Sequence, residues 1–184
     1  MRELHLFGEK RLSPRRHLVY LLLYAALTLA CVGLDQLTKA IVVANLELGE
    51  SIPLWPGVFH FTRIGNTGAA FGMLSQHRWV FLVVSAVAIV ALSVYLVLDR
   101  TVPLPVGIAF SLMVGGGVGN MIDRLTTGVV VDFLDFRLIN FAVFNVADSF
   151  VCIGAALMAV YLLVIALREA RKKSADPTGK DGTP

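Results

Sequence analysis

Four long apolar runs, separated by polar connections, set the pattern of this sequence. In chain order they cover residues 18–34, 79–98, 104–122 and 146–167. An α-helix rises about 1.5 Å per residue, so each run is about long enough to cross the roughly 30 Å hydrocarbon core of a bilayer. The pattern therefore predicts a membrane all-α fold, a bundle of four transmembrane helices.

The two long connections between the runs differ in kind. Residues 45–78 are interrupted by Pro, Gly and Asn, and within them residues 58–62 alternate between apolar and polar side chains. Alternation with a period of two is typical of a strand, so we predict a structured cap with a small β element rather than a fifth helix. Residues 123–145 form the other long connection, which is predicted to be a loop.

Composition and charge agree with a membrane protein and indicate its orientation. Hydrophobic residues make up 57% of the chain, charged residues 16%, and the mean hydropathy is +0.75, which exceeds what a soluble core needs. Lys and Arg concentrate in residues 1–17, at Arg100 after the second run, and in residues 168–184. Because positive residues beside a span resist translocation, we predict that these segments and both termini are cytoplasmic, and that connections 45–78 and 123–145 face outward.

The excess of positive charge also bears on partners. The net charge of +3 and the pI of about 9.1 are explained by this topology and by contact with anionic lipid headgroups. The sequence has no stripe of interleaved basic and aromatic residues, so we predict membrane lipids as partners and no nucleic acid. The arm 1–17 and the tail 168–184 then flank a single membrane domain, residues 18–167, and neither is expected to carry chemistry.

Two local patterns resemble other functions, but helix packing explains both better. Cys31 follows basic residues and an apolar stretch, as at the start of a lipoprotein precursor, yet Thr28 stands where such signals favour Leu, and three further runs would be unexplained. The stretch from Gly115 to Gly119 resembles a phosphate loop, yet no predicted strand precedes it. Small residues four apart let membrane helices approach closely, and Cys31 and Cys152 are likewise predicted to be packing residues without a disulfide.

Polar side chains gather where the predicted helices reach the outer face. They are Asp35, Lys39, Asn120, Asp123, Arg124, Asn145 and Asp148. Spacings of three and four residues place the members of each group on one helical face. An ionisable group within a span costs about 2.5 to 3.5 kcal/mol on insertion scales, so such a cluster implies mutual pairing, water access and usually a task. Structural ion pairing at helix ends is the simpler interpretation for Asp35 with Lys39 and for Asp123 with Arg124.

Asp132 and Asp148 differ from the other acids, since each lies among apolar neighbours with no basic residue three or four positions away. Two carboxyl groups brought together in a poorly solvated site do not ionise together easily, so they share one proton. The ionised member takes a proton from an attacking water, while the protonated member hydrogen-bonds the carbonyl oxygen and helps to protonate the departing amine. The predicted reaction is cleavage of a peptide bond without a covalent intermediate.

Other chemistries fit the sequence less well. The His-Glu-x-x-His motif of zinc peptidases is absent, and serines such as Ser149 lack a His or Lys base on their spans. Two alternatives of another kind remain open. One is a small proton-coupled transporter that uses the carboxylates as a relay, and the other is a non-enzymatic scaffold whose acids only pair with Lys39 and Arg124.

Five sequence blocks together resemble the bacterial lipoprotein signal peptidase family, the type II signal peptidases. They are "DQLTK" at 35–39, "NTGAAF" at 66–71, "GGGVGNMIDR" at 115–124, "GVVVDF" at 128–133 and "FNVADSF" at 144–150. The resemblance implies a four-helix bundle in the bacterial inner membrane with a small extracytoplasmic β-cradle and both termini cytoplasmic. It also implies an aspartic endopeptidase without metal or cofactor. The implied substrate is a prolipoprotein, already diacylglyceryl-modified on its lipobox cysteine and cut just before it, and we expect the enzyme to be a monomer.

Carried over residue by residue, the resemblance assigns roles to individual positions. It places the catalytic pair at Asp132 and Asp148, in agreement with the pair argued from environment. The positions matched to substrate binding or to positioning of the pair are Asn66, Gly68, Asn120, Arg124 and Asn145. The supporting polar positions are Asp35, Lys39 and Asp123, and Asp135 is left as a surface or supporting acid. Asn145 is expected either to cap the fourth helix or to hydrogen-bond the neighbouring carboxylate.

Overall fold

The computed structural model describes residues 11–67 and 78–175, which form four long helices, three short strands and one 3₁₀ turn. The helices are α1 (Pro14–Asn45), α2 (Arg78–Leu98), α3 (Leu104–Thr126) and α4 (Val146–Ala175). The strands are β1 (Ser51–Trp55), β2 (Phe59–Asn66) and β3 (Val130–Phe136), and the 3₁₀ turn Arg137–Ile139 follows β3. α3 is the central helix and packs against α1, α2 and α4.

Three helices of the described part of the chain are long and apolar enough to cross a membrane. They are α1, α3 and the Val146–Arg171 portion of α4, while α2 has a shorter apolar stretch, Leu82–Leu98. Only 6% of the most apolar window of α4 is buried inside the protein, so lipid has to cover most of this surface. The chain is therefore a helical membrane protein with three candidate spans and a small antiparallel sheet, where the sequence predicts four spans.

α1 is much longer than the apolar run that predicts it. It begins after the N-cap Ser13, whose Oγ accepts a hydrogen bond from the Arg16 N–H at 3.4 Å, and it continues for 32 residues. At its far end, the Arg63 guanidinium of β2 donates to the Leu46 carbonyl at 2.7 Å, which satisfies one of the carbonyls that a helix end leaves open. Asp35 consequently lies within a continuous helix rather than at its end.

The sheet has the strand order β1-β2-β3, and both pairs are antiparallel. β2 confirms the predicted β element at residues 58–62 and extends beyond it. The sequence analysis does not predict β3, which comes from the connection at residues 123–145, although its Val, Phe and Leu residues favour extended backbone. In the register of the two strands, Ile64 of β2 lies opposite Asp132 of β3. β3, at one edge of the sheet, therefore carries one of the two predicted catalytic acids.

The glycine-rich stretch of α3 lies at the contacts with α1 and α4, as the packing interpretation predicts. A Cβ added to Gly115 would lie 2.6 Å from the Cβ of Cys31, and one added to Gly119 would lie 2.5 Å from Oδ2 of Asp35. Side chains on these two residues would force the helices apart, so glycine is what allows the close approach. Gly116 faces the backbone of α4 in the same way. The packing prediction is confirmed for the glycines and for Cys31, which is buried at this contact, but it is wrong for Cys152, which is exposed on α4.

Two buried apolar clusters hold the helices and the sheet together. One lies around Tyr24 in the first half of α1 and Val106 at the start of α3. The other packs Phe133 of β3 against Val42 and Leu46 at the far end of α1. The sheet is thereby fixed to the end of the bundle at which α1 finishes, which is where the polar residues of α3 and α4 also lie.

Candidate active site

Three chain segments converge at one end of the bundle, where α3 finishes, β3 runs and α4 begins. Gly128, just after the C-cap of α3, has a φ of +80°, a left-handed conformation that favours glycine and turns the chain into β3. After the strand, the chain returns alongside it, since the Leu134 and Phe144 N–H groups donate to each other's carbonyls at 2.8 Å and 3.2 Å. This pairing places Asn145 beside Asp132.

Asp132 is only 2% exposed, and asparagines hydrogen-bond both of its carboxylate oxygens. Asn66 Nδ2 donates to Oδ2 at 2.8 Å, and Asn145 Nδ2 donates to Oδ1 at 2.7 Å. Burial is the main cause that raises the pKa of Asp132 to about 6. The carboxylate of Asp148 adds to the rise, whereas the two amide hydrogen bonds and the charge of Lys39 oppose it. The carboxyl group of Asp132 is therefore a weaker acid than an ordinary aspartate and keeps its proton to a higher pH.

Asp148 lies in the first turn of α4, and Asn145 precedes that helix as its N-cap. Asn145 Oδ1 accepts a hydrogen bond from the Asp148 N–H at 2.9 Å, and Asp148 Oδ2 accepts one from the Asn145 N–H at 3.2 Å. This reciprocal pair is a capping box. Because the same Asn145 side chain also donates to Asp132, it fills both roles that the sequence left open. It is fully buried, so the link between the two acids is shielded from solvent.

Asn120 of α3 connects Asp148 to the charged residues of α1. Its Nδ2 donates to Asp148 Oδ1 at 2.7 Å, while its Oδ1 accepts from Lys39 Nζ and from Asn145 Nδ2, both at 2.9 Å. An amide oxygen has two lone pairs, so these two donors use its full accepting capacity. The amide is thereby held with its donor directed at the carboxylate of Asp148.

Lys39 is a buried ammonium group surrounded by acceptors. It is 4% exposed and forms ion pairs with Asp35 Oδ2 at 2.8 Å and with Asp123 Oδ2 at 2.9 Å. Together with Asn120, these acceptors use all three of its donors, which a buried charge requires. The predicted pair of Asp35 with Lys39 is confirmed. Asp123, predicted to pair with Arg124, forms an ion pair with Lys39 on the neighbouring helix.

The remaining predicted positions differ in how the structure places them. Arg124 donates to the Asn120 carbonyl at 3.4 Å and interacts electrostatically with the Asp148 carboxylate. Asn66, at the end of β2, joins the cluster through the hydrogen bond described above. Gly68 lies outside the described residues. Every predicted site residue that the structure describes therefore belongs to one connected cluster.

Gln36 belongs to the same cluster, and the sequence analysis misses it. Its Nε2 lies 2.9 Å from Asp123 Oδ1, 3.1 Å from the Gly119 carbonyl oxygen and 3.2 Å from Asp35 Oδ2. The available signal was its position three residues before Lys39, which puts both side chains on one helical face. Gln36 lies within the block at residues 35–39, but the sequence alone assigns no role to it.

A second polar group lies on the other side of β3, around Asp135. Thr62 Oγ1 donates to Asp135 Oδ2 at 2.6 Å, and Arg137 Nε donates to the same oxygen at 2.9 Å. Burial works against the ionised form, but these two hydrogen bonds and the charge of Arg137 outweigh it and lower the pKa of Asp135. Asp135 is 8% exposed, so of the two roles left open by the sequence it has that of a buried supporting acid.

The described residues also bear on two other chemistries, catalysis by a serine nucleophile and catalysis by a metal ion. Ser149 Oγ donates to the Asn145 carbonyl of its own helix start at 3.0 Å, as serines in helices commonly do. Among residues 11–67 and 78–175, no three His, Cys, Asp or Glu side chains are grouped so that they could hold a metal ion. The chemistry that the described cluster offers is that of two linked carboxyl groups.

Known proteins similar to this chain agree on one family. Residues 27–164 match the model of a family described as signal peptidase (SPase) II. A lipoprotein signal peptidase of Brevibacillus brevis is 46% identical over 136 residues, which cover 73% of this chain and 91% of the relative. One of Bacillus subtilis is 39% identical over 145 residues, covering 78% and 94%. A solved structure of a bacterial membrane enzyme, determined by the in meso method, has a TM-score of 0.71 at 29% identity and covers 96% of this chain and 98% of its own.

These similarities decide between the alternatives that the sequence left open. The similar proteins of named activity are peptidases, so the transporter interpretation has no support. The matched range, residues 27–164, contains every residue of the connected cluster. The chain belongs to the signal peptidase II family, the aspartic peptidases that remove signal peptides from prolipoproteins.

Proposed function

We propose that Asp132 and Asp148 are the catalytic pair of this peptidase and share one proton. The observation that carries the proposal is that Asn145 hydrogen-bonds to both acids, one on a strand and the other on a helix. The pKa of Asp132, raised to about 6, supports a carboxyl group that holds its proton at a higher pH than an ordinary aspartate does. One buried side chain thus joins an acid and a base drawn from separate segments.

The proposed reaction uses water directly. The ionised member of the pair removes a proton from a water molecule as the water oxygen attacks the scissile carbonyl carbon. The protonated member hydrogen-bonds the carbonyl oxygen and stabilises the negative charge that develops there. The tetrahedral intermediate then collapses: the amine nitrogen takes a proton, the C–N bond breaks, and the pair is left with one proton again. No covalent bond forms between enzyme and substrate.

The neighbouring amides orient the pair without fixing it in the ionised state. Asn66 and Asn145 donate to Asp132, and Asn120 donates to Asp148. A neutral donor favours the ionised form less strongly than a cation in direct contact would, so the pair keeps its shared proton. The same amides, with Arg124 and with Gly68 of the adjoining segment, are proposed to bind the substrate backbone, as the family resemblance implies.

The site is proposed to open at the extracytoplasmic face of the bacterial inner membrane. The start of α1 carries Arg15 and Arg16, and the end of α4 carries Arg168 and Arg171. Positive residues favour the cytoplasmic side, so both termini are placed there, and the cluster lies at the opposite end of α1. In this arrangement α2 supplies the fourth span through Leu82–Leu98, and the three-stranded sheet is the extracytoplasmic cradle.

A lipid-anchored substrate suits a site in this position. The acyl chains of a diacylglyceryl-modified cysteine stay in the bilayer and hold the cleavage site close to the interface. The pair lies at the first turn of α4 and on the sheet that packs against the end of α1. We therefore place the substrate as a diacylglyceryl-modified prolipoprotein, cut just before the modified cysteine. The enzyme is also proposed to act as a monomer, as the sequence analysis expects.

The test is cleavage of a diacylglyceryl-modified precursor and of its unmodified form by the purified protein, followed by gel shift. The wild-type protein is expected to cut only the modified precursor, and Asp148→Asn is expected to lower kcat about 10³-fold, since an acid–base group contributes on that order. Ser149→Ala is the matched control, one position along, and is expected to stay within about twofold. Cleavage by Asp148→Asn at the wild-type rate would refute the proposed catalytic pair. Equal cleavage of both precursors would refute the proposed specificity for the diacylglyceryl-modified substrate.

A further inference from the structure

Two backbone amides next to the proposed catalytic pair are held by carboxylates from other helices. The N–H of Ala147, one residue before Asp148, donates to Asp35 Oδ1 at 3.0 Å. The N–H of Val131, one residue before Asp132, donates to Asp123 Oδ2 at 3.3 Å. Each member of the pair is therefore anchored, through the peptide unit that precedes it, to a buried acid on α1 or α3.

The two anchoring carboxylates are joined to each other. Lys39 Nζ bridges Asp35 Oδ2 and Asp123 Oδ2 at 2.8 Å and 2.9 Å. Gln36 Nε2 lies 3.2 Å and 2.9 Å from oxygens of the same two carboxylates. Asp35 is fully buried and Asp123 is 8% exposed, so the two negative groups repel each other strongly unless donors lie between them. Lys39 and Gln36 are those donors.

The contacts of Lys39 and Gln36 leave the two anchored peptide units little freedom to move. Lys39 has all three donors in use, and the Gln36 amide also lies 3.1 Å from the Gly119 carbonyl oxygen, which ties it to α3. Gly119 has no side chain to keep Asp35 away, as an added Cβ would lie 2.5 Å from Oδ2. Movement of either carboxylate would move the strand or the helix start that carries a catalytic acid.

We propose that Asp35, Gln36, Lys39 and Asp123 form a clamp that sets the separation of the two catalytic acids through the backbone. In this clamp Gln36 is a positioning residue for peptide hydrolysis, a role that rests on the proposed pair of Asp132 and Asp148. The clamp touches no substrate atom. It acts by holding the peptide units before both acids, so that one water and one carbonyl group fit between the carboxyl groups.

Gln36→Met tests the clamp because it keeps side-chain length and helix propensity but removes the bridging donor. Lys39 still pairs with both carboxylates in this variant, so we expect the protein to fold. The expected result is a fall in kcat of about tenfold per folded molecule, with KM for the modified precursor unchanged, since small misplacements act on the chemical step. Thr38→Val is the matched control, because within the described part of the chain the Thr38 hydroxyl donates to two carbonyls of its own helix, those of Leu34 and Asp35.

A purely structural role gives a different result. In that case Gln36→Met lowers the unfolding temperature or the folded fraction, while kcat per folded molecule stays at the Thr38→Val level, and this outcome overturns the clamp. Asp148→Asn, assayed in parallel, separates the two proposals. An inactive Asp148→Asn beside a fully active Gln36→Met refutes the clamp alone, whereas an active Asp148→Asn refutes the catalytic pair.

A second comparison decides the matter if Gln36→Met does not fold. Asp123→Asn keeps a side-chain oxygen that accepts the Val131 N–H, whereas Asp123→Ala does not. The clamp predicts that the kcat of Asp123→Asn is at least about fivefold higher than that of Asp123→Ala. In Asp123→Ala the partly buried Val131 N–H has no acceptor, so β3 is no longer held in place. Equal kcat in the two variants would show that only the charge of Asp123 matters and would overturn the clamp.

Discussion

Asp132 and Asp135 lie three residues apart on β3, and the fold makes one a weaker acid and the other a stronger one. An odd spacing on a strand directs the two side chains to opposite faces of the sheet. Burial and the nearby Asp148 raise the pKa of Asp132 to about 6. Burial acts on Asp135 as well, but hydrogen bonds from Thr62 and Arg137 outweigh it, and the pKa of Asp135 is lowered.

The difference shows that burial alone does not decide the role of a carboxyl group. Both acids are at least nine-tenths buried, yet the donors around them differ in charge. Asp132 receives neutral amide donors and lies near a second carboxylate, so its neutral form stays accessible. Asp135 receives a guanidinium donor, so its ionised form is favoured. The first arrangement suits proton transfer, and the second suits a permanent anchor for the sheet.

Removing each carboxylate in turn gives the largest contrast between the two acids. We expect Asp132→Asn to lower kcat about 10³-fold, because it removes one half of the acid–base pair. Asp135→Asn is expected to keep kcat within about threefold, since that side chain only holds the sheet. The measurement is the rate of cleavage of the modified precursor by folded, purified protein. Similar rates in the two variants would contradict the different roles proposed for these two acids.

Removing one hydrogen-bond donor from each acid tests the same comparison through an effect of intermediate size. Asn66→Ala removes a bond that favours ionised Asp132, so the pKa of Asp132 rises further. The limb of the pH–rate profile nearest pH 6 should move to higher pH by about one unit, the worth of one hydrogen bond to a charged group. kcat at neutral pH is expected to fall about tenfold.

Thr62→Val is the matched change at the other acid, because Thr62 donates to Asp135. It should leave the pH–rate profile in place, since Asp135 takes no part in proton transfer. The kcat/KM of both variants, measured between about pH 4 and pH 9, checks the prediction. A limb that stays fixed in Asn66→Ala, or moves to lower pH, would contradict the proposed titration of Asp132.

The smallest expected effect concerns stability. Because the pKa of Asp135 is lower in the folded protein than its ordinary value of 3.8, ionised Asp135 stabilises the fold above that pH, and the contribution is lost as pH falls through the folded pKa. Asp135→Asn should therefore lower the unfolding temperature by about 2–4 °C at pH 7, which corresponds to about 1 kcal/mol in a chain of this size. The difference between the wild type and the variant should begin to shrink below pH 3.8 and should vanish once the pH is below the folded pKa of Asp135. A difference that persists unchanged in acid would point to packing instead.

Much of the architecture follows from local pattern. The apolar runs predict the helices because lipid requires long apolar helices with satisfied backbone groups, and the three candidate spans α1, α3 and α4 coincide with three of the four runs. Alternation predicts β2 for a similar reason. The strand β3 is missed, since its acids at positions 132 and 135 interrupt the apolar pattern that would mark a strand. The spacing rule also pairs Asp123 with the nearest cation in sequence, whereas its ion pair is with Lys39 on another helix.

The sequence by itself determined that this chain is a helical membrane protein and that its acids meet at one end of the helices. It did so because apolar runs and helical periodicity are local properties of the chain. The tertiary structure alone decided which donors surround each acid: Asn145 hydrogen-bonds both Asp132 and Asp148, Gln36 lies between Asp35 and Asp123, and Thr62 and Arg137 donate to Asp135. Those contacts join residues far apart in the sequence, and the proton affinity of a carboxyl group depends on the neighbours within a few ångströms in space.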